Sequence, residues 1–197
     1  MYNALVNAAA FIILILLIGR IFDVVMDLLL GILTNLFGPT IAFLFSNVIT
    51  FVGVVHHELS HALFAFLTGA RVTRIQLFSI FNKDGTLGSV QFSPRGGMIL
   101  QSIQLCLSSI APMVTGCISL YYIYNAYMSG LVTGVWFFVM IYVAISILFH
   151  MRLSSQDIFV ALKGLPVCFI ILVVIFYLLN IDILSLLEMS SLASPVL

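Results

Sequence analysis

Long apolar runs separated by short polar stretches make up most of the chain, and their lengths predict membrane-spanning helices. Runs of about 20 apolar residues match the hydrocarbon core of a bilayer, and a helix satisfies its own backbone in lipid. We therefore expect an all-α polytopic membrane protein that forms a single domain over residues 1–197. The pattern predicts about five spans, at about residues 3–20, 39–68, 97–128, 130–149 and 165–187.

One stretch after the second span departs from the helical pattern. Residues 72–78 and 87–92 have the composition of strands, and Asn82-Lys83-Asp84-Gly85 between them is a strong turn signal. The pattern predicts a small membrane-associated β-hairpin at about residues 71–93. Because lipid cannot satisfy a bare strand edge, we expect this hairpin to be covered by protein or by water.

Composition narrows the class of protein further. The chain is 63% hydrophobic and 7% charged, which excludes an ordinary soluble domain. Its formal net charge of zero argues against nucleic acid as a partner. The three cysteines lie in apolar runs, with no disulfide framework and no metal-ligand spacing.

The distribution of charge predicts an orientation in the membrane. Six of the seven basic residues fall on the side where even-numbered spans end, so we expect that side and the N-terminus to be cytoplasmic. Five spans would then place the C-terminus on the opposite side. Asp23 and Asp27 follow the first span, so this topology puts them on that far side as well.

The second span carries His57-Glu58-Leu59-Ser60-His61 near its C-terminal end. Histidines four residues apart share one helix face, so the imidazoles of His57 and His61 can bind one zinc ion. Glu58 can act as general base on a water bound to that metal. The alternative is a set of polar residues that satisfy each other in a helix bundle. Ionisable groups at membrane depth are costly and usually mark a functional site, which favours the zinc site.

A catalytic zinc site needs a third protein ligand and keeps one position for water. Asp157, His150 and Asp84 lie on the same predicted side as the motif, and Asp157 is the favoured ligand. Asp157 also completes a helix-capping pattern with Ser154, and Asp84 suits a turn. His56 lies about 100° around the helix from His57 and is expected to be a packing or supporting residue.

The motif, followed by Leu67-Thr68-Gly69-Ala70-Arg71-Val72, resembles the signature of site-2-protease-type intramembrane zinc metalloproteases. Ser154-Ser155-Gln156-Asp157 with Gly164-Leu165-Pro166 resembles the third-ligand segment of a compact bacterial branch without a PDZ domain. Many members carry Asn-Pro before an Asp-Gly at this segment. Here Ile158 follows Asp157 and no Asn-Pro occurs, which leaves the oxyanion stabiliser unassigned.

This resemblance implies a zinc metalloendopeptidase with one Zn²⁺ per chain in a bacterial inner membrane. Its expected site combines His57, His61 and Asp157 as metal ligands with Glu58 as the catalytic residue. A transmembrane protein is the implied substrate, and a free edge of the hairpin at residues 72–92 could hold it by strand addition.

Two other functions remain open from the sequence. A non-proteolytic zinc-binding subunit or chaperone of a larger membrane complex would have a closed site with four ligands, the fourth from His56 or His150. The small size of the chain is compatible with a membrane partner subunit. A prenyl-protein endopeptidase type takes a glutamate as third ligand, but Glu188 is predicted on the wrong side of the membrane.

Overall fold

The computed structural model describes residues 1–79, 87–180 and Asp182. These residues form a mainly helical structure with one pair of antiparallel strands, which confirms the predicted class in this coarse form. The elements in chain order are α1 (Tyr2–Phe37), α2 (Pro39–Phe43), α3 (Phe51–Leu67), β1 (Arg71–Gln76), β2 (Ser89–Ser93), α4 (Met98–Met128), α5 (Val135–His150) and α6 (Ser155–Leu179).

The described helices offer three to four candidate membrane spans, and the predicted count of five is not confirmed. Helices α1, α4 and α6 are each long and apolar enough to cross a bilayer. A fourth candidate joins residues Pro39–Ile49, which begin with α2, to α3, with a bend of 50° between the two. Helix α5 is apolar but, with 16 residues, is shorter than these candidate spans.

The bend between α2 and α3 has a visible cause in the side chains around it. Residues Leu44–Ile49 form a π-helical turn, in which the regular ladder of helical hydrogen bonds is widened. The Thr50 hydroxyl donates to the carbonyls of Phe45 and Ser46, and the Asn47 amide donates to that of Phe43. These side chains compete with the backbone for helical carbonyls, and α3 restarts at Phe51 in a new direction.

Two helices have different bounds from the predicted spans. Helix α1 continues past the predicted end at residue 20 and stops at Phe37, because Gly38 takes a φ of 84° and Pro39 opens α2. Helix α6 begins at Ser155 instead of residue 165, since Ser154 caps it. The predicted end of this span at residue 187 lies outside the described residues.

Helices α5 and α6 follow one another along α4 in the same direction. The ring of Tyr127 of α4 contacts that of Phe137 at a tilt, and Gly116 lies against Met151. Further toward the start of α4, the Cys106 thiol donates to the carbonyl of Ala161, and the Cys168 thiol donates to the carbonyl of Ser102. The chain therefore does not reverse between α5 and α6, as five separate spans would require.

Helix α1 packs against α6 and runs antiparallel to it. Ala4 and Ala8 form an apolar cluster with Phe176 near the end of α6, and Phe11 meets the ring of Phe176 edge to face. The start of α1 and the end of α6 therefore lie at the same end of the bundle.

At the other end of this contact, Asp27 of α1 forms an ion pair with Arg152, with Oδ1 and Nη1 2.8 Å apart. Arg152 stands five residues before Asp157. The expectation that Asp27 lies on the far side of the membrane from the metal site is therefore wrong.

The hairpin folds back along α3. Strands β1 and β2 pair antiparallel, with Arg71 opposite Ser93 and Gln76 opposite Ser89, and a bulge lies between Val72 and Arg74. Beyond the strands, the Ser79 amide donates to the carbonyl of Leu87, and the ring of Phe78 contacts that of Phe51 at the start of α3. The predicted turn at residues 82–85 lies outside the described part of the chain.

Candidate metal centre

Helix α3 presents His57 and His61 on one face, and the neighbouring helices fix the orientation of both rings. The Nδ1–H of His57 donates to the main-chain carbonyl of His150 at 2.6 Å. The Nδ1–H of His61 donates to that of Ser108 at 2.7 Å. A carbonyl oxygen only accepts hydrogen bonds, so in each ring Nδ1 carries the proton and Nε2 is left as the metal-binding atom.

The two Nε2 atoms converge with one carboxylate. The Nε2 atoms of His57 and His61 are 3.0 Å apart. Asp157 at the start of α6 brings its Oδ1 to 3.2 Å from Nε2 of His61 and its Oδ2 to 3.7 Å from Nε2 of His57. Within the described residues, these three side chains form the group of His, Cys, Asp or Glu that could hold a metal ion.

This arrangement fits a tetrahedral metal ion. Zinc–nitrogen bonds of about 2.05 Å at tetrahedral angles place ligand atoms about 3.3 Å apart. The three separations of 3.0, 3.2 and 3.7 Å lie on either side of that value. With the proton of each neutral ring on Nδ1, both Nε2 atoms and the carboxylate direct only lone pairs at one another. A cation between them would remove that repulsion, so this donor set could hold a metal ion.

Asp157 completes the predicted helix cap and also faces the two histidines. Its Oδ2 accepts from the Ser154 amide at 2.8 Å and from the Ser154 hydroxyl at 2.6 Å. The Ser154 hydroxyl in turn accepts from the Asp157 amide, which completes a capping box at the start of α6. The cap holds one carboxylate oxygen and leaves Oδ1, the oxygen nearer His61, for a metal ion. The cap therefore orients the ligand and does not compete with it.

Glu58 is buried beside this group, with 8% of its surface exposed. The hairpin covers it at Gly88, where the chain enters β2. A Cβ atom at Gly88 would lie 2.6 Å from Cγ of Glu58 and 2.9 Å from its Oε1. Only glycine lets the hairpin backbone come this close to the carboxylate without displacing it. The hairpin therefore packs directly on the residue predicted to be the general base.

His56 and His150, the alternative or supporting residues, both lie outside the metal group. The ring of His56 hydrogen-bonds to the Ser119 hydroxyl at 3.0 Å, on the α4 side of α3. The ring of His150 donates from Nδ1 to the carbonyl of Ser146, while its main-chain carbonyl supports His57. Asp84 and Glu188, two further carboxylates considered from the sequence, lie outside the described residues.

The sequence did not indicate the two main-chain carbonyls that orient the rings of His57 and His61. Ser108 and His150 contribute main-chain oxygens, and a main-chain group leaves no signal in the residue type. Gln104 is different, because an amide inside the apolar run of α4 indicates a buried polar contact. It lies at the base of the hairpin and not in the metal group.

Comparisons with protein-family models, with curated proteins and with solved structures give no match for this chain.

Proposed function

We propose that this protein is an intramembrane zinc metalloprotease that hydrolyses peptide bonds of membrane-spanning substrates within or near the bilayer. One observation carries the proposal. His57, His61 and Asp157 direct three metal-binding atoms at one point, and Glu58 stands next in sequence to the first of them. Two histidines and a carboxylate form the donor set of a catalytic zinc site, and a glutamate next to the first histidine is the general base of zinc peptidases.

The number of ligands favours a catalytic site over a structural one. Structural zinc sites are closed by four protein ligands, whereas catalytic sites keep one position for water. Among residues 1–79 and 87–180, the metal group has three members. Such a site retains a coordination position at which a water and a substrate carbonyl can bind.

Each residue has a defined part in the proposed reaction. His57 and His61 would hold the metal through Nε2, and Asp157 would hold it through Oδ1. A zinc ion bound there would make water acidic enough to lose a proton near neutral pH and would polarise the scissile carbonyl. Glu58 takes the proton from the attacking water on its carboxylate and then passes it to the leaving amine. Its burial against Gly88 keeps the carboxylate from turning away into solvent.

The hairpin is the proposed element for holding the substrate. A peptide must be extended before its backbone can be hydrolysed, and an extended segment can pair with a free strand edge. The described hairpin has two strands, so a third can be added. Since Gly88 contacts Glu58, a segment paired with the hairpin at residues 72–92 would lie close to the general base. We propose that a transmembrane segment of the substrate unwinds and binds in this way.

The proposed location is a bacterial inner membrane, with the N-terminus and the active-site end facing the cytoplasm. The long apolar helices are compatible with a membrane protein. The cytoplasmic orientation rests on the bias of basic residues. Because α5 and α6 run in one direction along α4, we favour four crossings over five.

The two alternative functions have less support. A prenyl-protein endopeptidase would need a glutamate as third ligand, and in the described residues the carboxylate that meets both histidines belongs to Asp157. A non-proteolytic zinc subunit would need a fourth protein ligand, and neither His56 nor His150 is in the metal group.

Replacing Glu58 with glutamine tests the proposed function directly. The purified variant in proteoliposomes should keep its zinc and lose cleavage of single-span reporter proteins by a factor of about 100 to 10,000, since it removes a general base. Leu59→Ala, at the exposed neighbouring position, is the matched control and should keep both properties. Full cleavage by Glu58→Gln would contradict the mechanism. A zinc-loaded wild type that cleaves no reporter would favour the non-proteolytic subunit.

A further inference from the structure

The side chain of Gln104 on α4 is completely buried, with an exposed fraction of 0%. Its Nε2 donates to the carbonyl of Thr68 at 2.9 Å, and its Oε1 accepts from the amide of Arg95 at 2.8 Å. A carbonyl only accepts and an amide N–H only donates, so these two partners fix the orientation of the glutamine amide. Both the oxygen and the nitrogen of the side-chain amide are therefore hydrogen-bonded.

The two partners of Gln104 are the two bases of the hairpin. Thr68 follows the last residue of α3, and Arg95 stands two residues after the end of β2. The chain thus leaves the helix bundle and returns to it at a single side chain. Burying an unpaired amide in an apolar helix is unfavourable, so both hydrogen bonds are needed to satisfy this side chain.

Past the paired strands, the described part of the hairpin lies against α3 at Phe78 and Gly88. The tilted rings of Phe78 and Phe51 are in contact, with their centroids 5.6 Å apart, and Gly88 contacts Glu58. The hairpin is therefore held at its base by Gln104, and further along it rests on the proposed general base. A movement at the base would be carried along the paired strands to Gly88.

We propose that Gln104 is a positioning residue, which fastens both bases of the hairpin to α4 and so sets the place of the hairpin over Glu58. This inference rests on the proposed function, because its catalytic consequence requires that the hairpin hold the substrate. Residues of a strand are about 3.3 Å apart, and a one-residue slip turns each side chain to the other face. A shift of that size moves the scissile bond beyond hydrogen-bond reach of the general base.

The test measures the hairpin and the reaction separately. In full-length protein in which Cys106, Cys117 and Cys168 are replaced by alanine, spin labels are attached at Arg74 on β1 and at Tyr121 on α4. Both positions are exposed. Pulsed electron paramagnetic resonance then reports the distribution of distances between the labels in proteoliposomes. Zinc content and reporter cleavage are measured on the matching unlabelled proteins.

Gln104→Met keeps the length of the side chain and removes its amide. We expect a broader distance distribution, unchanged zinc content and a fall in kcat/KM between about tenfold and 100-fold, as for a misplaced reacting group. Gln101→Met is the matched control on the same helix, because the Gln101 amide donates to Gly96 from an exposed position. It should leave all three measurements unchanged.

Gln104→Asn gives a second test in case the methionine variant does not fold. Its amide is one methylene shorter and cannot reach both Thr68 and Arg95, so the distribution should again broaden. A distribution as narrow as that of the wild type in either folded variant would overturn the proposal. The distances do not depend on cleavage. A wild type without protease activity would thus refute the proposed function. A broader distance distribution in the Gln104 variants would still establish that Gln104 attaches the hairpin to α4.

Discussion

The ring of His57 donates from Nδ1 to the main-chain carbonyl of His150 at 2.6 Å, which joins the metal-binding face of α3 to the end of α5. The contact selects the tautomer of His57 that leaves Nε2 for a metal ion. It also places His150 beside the short link that leads to Ser154 and Asp157. One hydrogen bond thus connects the helix that carries two of the proposed ligands with the segment that carries the third.

Gly53→Ala should weaken metal binding without altering a ligand. A Cβ atom at Gly53 would overlap the carbonyl of Ser146 and lie 2.6 Å from Nδ1 of His150, so α3 and α5 would have to separate. The His150 carbonyl would then move away from His57, and we expect the metal affinity to fall by about 10- to 100-fold. Competition with a chromophoric chelator measures it. Gly31→Ala on α1, which has no neighbour within 4 Å, is the control. Wild-type affinity in Gly53→Ala would show that this contact does not support His57.

His150→Ala should keep its zinc. The main-chain carbonyl that supports His57 survives this substitution, and the His150 ring hydrogen-bonds to Ser146 and not to the metal group. His61→Ala, which removes a ligand, should lose the metal in the same preparation. Elemental analysis of both proteins after gel filtration makes the comparison. Loss of zinc from His150→Ala would identify its imidazole as a ligand and move the site.

The two ends of the described chain should be accessible from the same side of the membrane. Single cysteines at Tyr2 and Asn180, in a background free of native cysteines, should react together with a membrane-impermeant maleimide. A cysteine at Leu131, beyond the end of α4, should react from the opposite side. This follows from the contact of Ala4 and Ala8 with Phe176 and from the common direction of α5 and α6. Labelling of Tyr2 and Asn180 from opposite sides would restore the count of five spans.

The local parts of the site could be predicted from spacing. Histidines four residues apart share a helix face in any fold, and Ser154 and Asp157 cap a helix through their own side chains and amides. The strand composition around the turn signal likewise predicted a hairpin. These features depend on residues a few positions apart, so their geometry follows from the sequence alone.

The long-range arrangement could not be predicted in the same way. After the link at residues 151–154, the chain could either reverse its direction or continue in the direction of α5. The contacts of α5 and α6 along α4 show that it continues. Asp27 and Arg152 are 125 positions apart, and their pairing places α1 beside the site where the charge pattern predicted the far side. Gln104 did give a signal, an amide in an apolar helix, but the sequence does not say that its partners are the two bases of the hairpin.

The most direct test of the central claim is the zinc content of the purified wild type beside Asp157→Ala and Ser154→Ala. We expect about one zinc per chain in the wild type and a large loss in Asp157→Ala, which removes a ligand. Ser154→Ala removes the cap but keeps the carboxylate. It should retain its zinc and lose about 1 kcal/mol of unfolding free energy. Zinc retained by Asp157→Ala, or a wild type prepared without chelators that holds none, would contradict the proposed site.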